Sequence, residues 1–244
     1  MNGFLVSGLQ LKEKKMSGKV ILLSGAPGIG KTTALSELAE LLKRQPPSDS
    51  PAIVLDNEDV FTRGLRVLSS EKSGLALDSK EFAGSFNRAG QMAYQALCRK
   101  LAGQGFTVIM PGPFENLRAE IPVGEEKLPL LRLMERQFEG KILFLQLLLL
   151  PKGETVNSGN VMARESMLPI EQAVQNRLQA RGDGGGVQSQ LDADKLGDPQ
   201  YYRKRLYQQL LTAEMFPKEV HQVVTHLEDD SATVASKLHN AIFW

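Results

Sequence analysis

The sequence predicts an α/β fold in which helices cover both faces of a five-stranded parallel sheet. Short apolar runs alternate with helix-like segments along the 244 residues, and this alternation favours parallel strands joined by right-handed helical crossovers. A Gly-rich turn links the first apolar run directly to the first helical segment. The longest apolar run, residues 142–150, is too short to cross a bilayer and suits a buried central strand.

Each strand is predicted from a short run of apolar or β-branched residues that is bounded by Gly, Pro or charged residues. Pro51 and an acidic stretch flank the second run, for example, and Gly105 precedes the third. The predicted strands are residues 20–23, 52–55, 106–110, 141–149 and 220–227.

Each helix is predicted from apolar residues that recur every three or four positions. In the first helix Leu35, Leu38 and Leu42 share this spacing, and Pro46 stops the helix. Glycines close the second and third helices. The predicted helices are residues 32–44, 81–102, 128–138, 170–181, 200–215 and 231–242.

We expect a single domain over residues 18–244, with a lid or insertion at about 151–198. Residues 1–17 are expected to be an extension, because their lysines follow the apolar stretch rather than precede it as in a secretory signal. Residues 151–169 lack sustained periodicity and are expected to form a mobile insertion. The basic and aromatic residues 201–205 are expected to form the exposed start of a helix.

The charge balance and the cysteine content narrow the function classes. With 29 basic and 28 acidic residues, no overall field favours nucleic acid or an anionic membrane as a partner. The single cysteine, Cys98, cannot form an internal disulfide, and its place in a helical pattern predicts a buried thiol. These features indicate a cytoplasmic protein without a membrane partner.

The turn after the first strand has the spacing of a phosphate-binding loop. Gly25 and Gly30 are followed by Lys31 and Thr32, which gives the pattern G-x-x-x-x-G-K-T between a strand and a helix. Glycines permit backbone conformations that turn successive N–H groups toward an anion at the positive end of the helix. We name this segment the phosphate cradle and predict that it binds ATP through Gly25, Ala26, Pro27, Gly28, Ile29, Gly30, Lys31, Thr32 and Thr33.

Two side chains of the cradle are expected to act on the bound phosphates. Lys31 supplies a mobile ammonium for the outer phosphates. The hydroxyl of Thr32 can join the coordination shell of a Mg²⁺ ion that bridges those phosphates. The predicted cofactors are therefore ATP and Mg²⁺.

Carboxylates follow the second predicted strand, at the edge of a parallel sheet where ligands bind. A kinase needs a carboxylate that orients or deprotonates the acceptor hydroxyl. Asp59 is the preferred candidate, and Asp56 is either an alternative base or a partner of a water on Mg²⁺. The competing interpretation is a solvated acidic turn or a helix N-cap.

Four arginines are candidate contacts to phosphate or substrate. Arg177 and Arg181 are four positions apart on one predicted helix face, which a closing segment could bring to the transferring phosphate. A solvated helix face has the same spacing. Arg63 and Arg118 follow the second and third strands, and each could hold an anionic substrate group or be an ordinary surface arginine.

With these residues in this order, the chain resembles the P-loop kinases of the AAA_33-type family. That group includes kinases of small molecules and of nucleic-acid 5′-hydroxyls, and it neighbours the zeta toxins and gluconate kinases. The matching segments are the cradle at 25–33, the acidic motif at 55–65, the third strand with its Pro-Phe ending at 105–114, the lid motif at 177–182, and residues 194–196.

The resemblance implies a P-loop NTPase α/β/α sandwich with a helical lid, and phosphoryl transfer from ATP to a hydroxyl. It also implies that the acidic residue after the second strand is the base and that the lid arginines contact the phosphates. The chain departs from the pattern at Pro111, because many relatives carry an aspartate at the end of the third strand. Asp56 or Glu58 would then have to replace that carboxylate near the metal.

The leading hypothesis is an ATP- and Mg²⁺-dependent kinase that acts on the hydroxyl of a small molecule. A kinase for a polynucleotide 5′-hydroxyl or for a sugar nucleotide is the second hypothesis, and the near-neutral charge counts against nucleic acid. The third is an interaction protein in which ATP orders the lid to create a partner surface. Acceptor specificity is expected to lie in residues 60–80, 111–127 and 151–169.

Overall fold

A computed structural model describes residues 18–45, 51–55, 95–112, 116–124, 126–182 and 196–243. Its main feature is a five-stranded sheet in the order β2-β3-β1-β6-β7, in which all neighbouring strands are parallel. A separate two-stranded antiparallel hairpin joins β4 and β5. The strands are β1 Val20–Ser24, β2 Ala52–Val54, β3 Thr107–Pro111, β4 Glu120–Val123, β5 Glu126–Pro129, β6 Ile142–Leu149 and β7 Val220–Thr225.

Helices connect the strands of the main sheet and cover both of its faces. Within the described residues they are α1 Lys31–Arg44, α2 at 95–103, α3 Leu130–Gln137, α4 Leu168–Gly182, α5 Tyr201–Met215 and α6 Ser231–Phe243. A short 3₁₀ helix, Glu165–Met167, leads into α4. None of the helices in the described residues is long and apolar enough to cross a membrane.

The alternating side chains of β1 divide the core into two layers. Ile21 and Leu23 pack in the layer that contains Leu38 of α1. Val20 and Leu22 pack in the opposite layer, which contains α2 and α3. Successive strand residues point to opposite faces, so a strand buried on both sides reads as a continuous apolar run. The result is the predicted three-layer α/β/α architecture, and each of the predicted strands is present.

The hairpin of β4 and β5 was not predicted, since the sequence favours an irregular segment at 111–127. Glu120 pairs with Pro129 and Val123 pairs with Glu126, around a turn in which Gly124 has a φ of 62°. The four residues of β4 are all exposed, and a strand this short gives too brief an alternation of side chains to be recognised in the sequence. Backbone pairing, rather than burial, therefore defines this hairpin.

Residues 151–169 do not have the packing expected of a mobile insertion. Val156, Val161 and Met167 are buried in the core layer that contains α1. The Glu154 carboxylate accepts hydrogen bonds from Arg164 at 2.7 Å and from the Ser166 hydroxyl at 2.8 Å. Apolar anchors at irregular spacing, linked by polar side chains, give a packed loop without a regular sequence period.

The start of α5 also differs from the expected exposed helix start. Tyr202 and Arg203 are buried, whereas Lys204 and Arg205 are exposed. Tyr202 and Arg203 lie on the helix face that also buries Leu206. The run of charged residues in the sequence does not indicate this burial. The buried pair takes up specific contacts that are described below.

Burial of Cys98 predicts an unreactive thiol. Its side chain is fully buried, its sulfur lies 3.4 Å from the sulfur of Met110, and burial raises its pKa to about 12. The thiol should remain protonated at pH 8, where an exposed cysteine is partly ionised. We expect iodoacetamide to label the protein at pH 8 in denaturant but not in the native state. Equal labelling rates in both states, measured by intact mass, would contradict this packing.

Candidate nucleotide-binding site

The phosphate cradle connects β1 to α1 through a turn with two left-handed glycines. Gly28 has a φ of 84° and Gly30 a φ of 98°, which residues with a Cβ rarely adopt. Gly30 is the N-cap of α1, and within the described residues no side chain caps this end of the helix. The first turn of α1 carries no acidic residue. Its N–H groups are therefore oriented for an external anion.

Gly25 is favoured by close packing beneath the cradle. A Cβ at this position would lie 2.6 Å from Cδ1 of Ile29 and 3.2 Å from the carbonyl oxygen of Leu147. Both contacts are shorter than ordinary van der Waals separations. The first glycine of the motif thus lets the cradle pass against β6.

Lys31 turns back over the cradle rather than pointing away from it. Its Nζ donates to the carbonyl oxygen of Gly25 and, at 2.9 Å, to that of Ala26. An ammonium has three donors on a flexible stem. The side chain is therefore held at the mouth of the loop, within reach of a phosphate bound to the loop amides.

The residues at the start of α1 fit a Mg²⁺ ion that is shared with phosphates. Thr32 and Thr33 lie exposed on the first turn of α1. Mg²⁺ prefers oxygen ligands and is held by few protein groups when substrate phosphates complete its shell. Among the described residues no cluster of three or more His, Cys, Asp or Glu side chains could hold a metal ion. The exposed hydroxyl of Thr32 suits a site of the shared kind.

Helix α4 packs directly on the cradle at Gly28. A Cβ at residue 28 would lie 3.0 Å from Cγ1 of Val174 and 3.2 Å from Cγ of Leu178. Val174 and Leu178 are both buried. The glycine therefore permits the contact between α4 and the cradle, in addition to its role in the turn.

Arg177 is brought to the cradle by the same helix. It is an exposed residue whose Nη1 donates to the carbonyl oxygen of Gly28 at 3.3 Å. The predicted alternative of an ordinary solvated helix face does not include this contact. Lys31 and Arg177, which are distant in sequence, thus place two cations on one loop.

The structure describes the other predicted site residues to different extents. Arg118 lies before β4, and its Nη2 donates to Oε1 of Gln208 on α5; its buried Nε has no hydrogen-bond partner in the part of the chain that is described. Arg181 is part of α4, but the structure describes only its backbone. The predictions for Asp56, Asp59 and Arg63 also fall outside the described residues.

A buried amide beside the cradle was not predicted as part of the site. Gln146 on β6 is in register with Ser24, the last residue of β1, and it is fully buried. Neither polar atom of its amide has a hydrogen-bond partner in the described ranges. The signal in the sequence is that Gln146 is the polar interruption of the apolar run 142–150.

Comparisons with known proteins give no family at the level of sequence. No protein-family model matches the chain, so the resemblance to AAA_33-type kinases stays a prediction. No curated protein matches the chain either.

The solved structures that are similar to the chain include three with low identity. The structure named APE1195 has 21% identity and a TM-score of 0.33, and the match covers 67% of this chain and 75% of that one. A thymidylate kinase from Ehrlichia chaffeensis has 15% identity and a TM-score of 0.40, with 92% and 98% covered. PAB0955, a GTPase from Pyrococcus abyssi in apo form, has 15% identity and a TM-score of 0.41, with 93% and 97% covered.

The fold is identified by the chain's own features. The strand β1 that leads into the cradle is central in a parallel sheet, between β3 and β6. The cradle has the G-x-x-x-x-G-K-T pattern at the N-terminus of α1. The chain therefore has the three-layer α/β/α fold of P-loop NTPases.

Proposed function

We propose that the protein is a kinase that transfers the γ-phosphate of ATP, with Mg²⁺, to a hydroxyl group of a small molecule. The observation that carries the proposal is the convergence of Lys31 and Arg177 on the cradle. Nucleotide binding alone requires the loop amides and one lysine. A second cation at the same loop supplies the charge stabilisation that phosphoryl transfer needs.

In this proposal the cradle fixes the donor. The backbone N–H groups at the start of α1 hold the phosphates, and Lys31 exchanges its loop carbonyl partners for phosphate oxygens. Arg177 lies beside Gly28 and contacts the oxygens of the transferring group. A Mg²⁺ ion held by Thr32 and the phosphates would supply further charge neutralisation.

The acceptor side depends on the acidic segment after β2. The acceptor oxygen forms a bond to the γ-phosphorus, while the bond between that phosphorus and the oxygen that bridges it to the β-phosphorus breaks. The acceptor's proton passes to a carboxylate, for which Asp59 is the first candidate and Asp56 the alternative. Arg63 and Arg118 are proposed to hold an anionic group of the acceptor.

The fixed position of α4 supports a kinase over a nucleotide-ordered interaction protein. That alternative requires a lid that ATP orders from a less ordered state. In the structure, α4 already contacts the cradle through Val174 and Leu178, and the loop before it is packed in the core. The 5′-hydroxyl of a polynucleotide remains the alternative class of acceptor.

The proposal is tested by offering hydroxyl compounds in pools, including sugars, nucleosides and a 5′-hydroxyl oligonucleotide, with Mg-ATP. We expect one small-molecule pool to gain phosphate. In that pool the Asp59→Asn variant should be about 10²–10⁴-fold slower, since proton transfer contributes that much. Asp230→Asn is the control. Asp230 is far from the acidic segment in sequence, and its carboxylate caps α6 by accepting a hydrogen bond from the amide of Thr233.

The outcomes separate the roles of the two carboxylates. A large loss in Asp56→Asn, with Asp59→Asn active, would assign the base to Asp56. Transfer to the oligonucleotide alone would favour the polynucleotide kinase. Absence of transfer to every pool, or full activity in both variants, would contradict the proposed kinase mechanism.

A further inference from the structure

We infer that a buried ion pair, Glu171 with Arg203, sets the position of Arg177 at the cradle. The inference rests on the proposed function, because it assigns to this pair the placement of a cation that acts on the transferring phosphate. Within the described residues, neither member of the pair forms a hydrogen bond to the cradle or to Arg177. Glu171 and Arg203 are therefore positioning residues rather than catalytic ones.

The pair is closely packed and strongly shielded from water. Nε of Arg203 donates to Oε1 of Glu171 at 2.8 Å, and both side chains are 8% exposed. By contrast, the ion pair between Lys152 and Glu228 has side chains that are 72% and 51% exposed. Exposed pairs of that kind hold little structure in place, whereas a buried pair resists separation because each charge needs the other.

Arg203 joins three segments rather than two. Its Nη1 donates to the carbonyl oxygen of Met162 at 2.8 Å, in the loop that precedes α4. The guanidinium thus holds α5, the first turn of α4 and the loop before α4 in one arrangement. A guanidinium suits this role because its planar donors point in fixed directions.

The neighbouring residue attaches this arrangement to the sheet. The Tyr202 hydroxyl accepts from the backbone N–H of Leu149 at 3.1 Å and donates to the Leu149 carbonyl at 2.5 Å. Leu149 ends β6, which pairs with the strand that leads into the cradle. The anchor of α4 and the cradle are therefore built on adjacent strands.

Helix α4 carries this anchorage to Arg177. Arg177 lies six positions after Glu171 on the same helix, a rise of about 9 Å. Between them, Val174 packs on Gly28, and Leu178 follows one turn later. A helix fixed at Glu171 and in contact at Val174 has no freedom to slide or rotate without moving Arg177 away from the Gly28 carbonyl.

A buried ion pair is better suited to fixing geometry than to raising stability. Replacing such a pair with apolar side chains of similar volume is often neutral or stabilising for the fold. Apolar side chains at these positions would leave the register of α4 less sharply defined, because their contacts have no preferred direction. The pair therefore provides directional contacts at the point where a small displacement would affect phosphate contacts.

The test combines Arg203→Met with Arg177→Ala in a double-mutant cycle. The measured quantity is kcat for transfer of phosphate from Mg-ATP, either to water or to the hydroxyl pool. We expect each single change to lower kcat, by about 100-fold for a displaced catalytic group. Because Arg177 would already be misplaced in Arg203→Met, the double variant should be little slower than either single variant. Affinity for a fluorescent ADP analogue should change much less than kcat.

Further variants separate positioning from loss of folding. Arg203→Lys keeps the charge and should restore part of kcat. The Glu171→Met/Arg203→Met variant, which leaves no unpaired buried charge, should fold and still have low kcat. Arg132→Met is the control: it makes the same substitution in a more exposed ion pair, which joins Arg132 to Glu219 at 2.7 Å elsewhere in the chain, and it should leave the effect of Arg177→Ala unchanged.

Hydrogen exchange gives a readout that does not depend on activity. We expect Arg203→Met, but not Arg132→Met, to raise amide exchange in α4 around residues 174–180. Unchanged exchange there, or fully multiplicative effects of Arg203→Met and Arg177→Ala on kcat, would overturn the inference. If wild-type protein releases no phosphate while exchange changes as expected, the proposed kinase is wrong and the pair still determines the position of α4.

Discussion

Lys31→Ala should lower the rate of phosphoryl transfer by about 10²–10³-fold or more, the range found when one preorganised donor is removed from a transition state. Lys31 is held at the mouth of the cradle by the carbonyls of Gly25 and Ala26. Alanine removes the ammonium that would meet the outer phosphates. The measurement is kcat with Mg-ATP and the accepted hydroxyl compound.

Lys43→Ala is the matched control for this prediction. Lys43 lies on the same helix and makes an exposed ion pair with Glu40 at 2.5 Å. Its removal takes away the same charge and side-chain type but should leave kcat unchanged, because exposed pairs contribute little. Equal rates for Lys31→Ala and wild type, in a protein with wild-type circular dichroism, would remove Lys31 from the mechanism.

Gly28→Ala should weaken both the fold and nucleotide binding. The left-handed backbone, with a φ of 84°, costs a residue with a Cβ about 1–2 kcal/mol. The contacts at 3.0 Å with Val174 and 3.2 Å with Leu178 add overpacking against α4, for a total of about 2–5 kcal/mol. Displacement of α4 should also carry Arg177 from the cradle. The measurements are the free energy of unfolding and the affinity for an ATP analogue.

Gly153→Ala separates backbone strain from the clash. Gly153 has a φ of 74°, close to that of Gly28, and no atom of the described residues lies within 4 Å of a Cβ added there. This variant should lose only about 1–2 kcal/mol of stability and keep its nucleotide affinity. If Gly28→Ala behaves like Gly153→Ala in both measurements, the contact between α4 and the cradle has no functional role.

The cradle and the main elements could be predicted because their determinants are local. The spacing of Gly25, Gly30 and Lys31 specifies a turn and a charge within a few residues. The buried strand β6 is visible as an apolar run, and α1 has a helical period that ends at a proline pair. Local signals of this type do not depend on how the chain folds back on itself.

The partners of the site could not be predicted because they join distant parts of the chain. Arg177 and Gly28 are 149 positions apart, and Arg203 and Glu171 are 32 apart. The sequence around Arg203 has the composition of an exposed helix start, and only tertiary packing shows that two of its residues are buried. The β4–β5 hairpin, whose pairing is local, was missed for another reason: each strand has only four residues, and β4 is exposed throughout.

The most direct measurement is a crystal structure of the protein with Mg²⁺ and a non-hydrolysable ATP analogue. The account predicts that the β-phosphate accepts hydrogen bonds from the backbone amides at the start of α1. Nζ of Lys31 should have left the carbonyls of Gly25 and Ala26 for phosphate oxygens, and the Arg177 guanidinium should lie at the terminal phosphate. An analogue bound elsewhere, with Lys31 still on its loop carbonyls, would contradict the account.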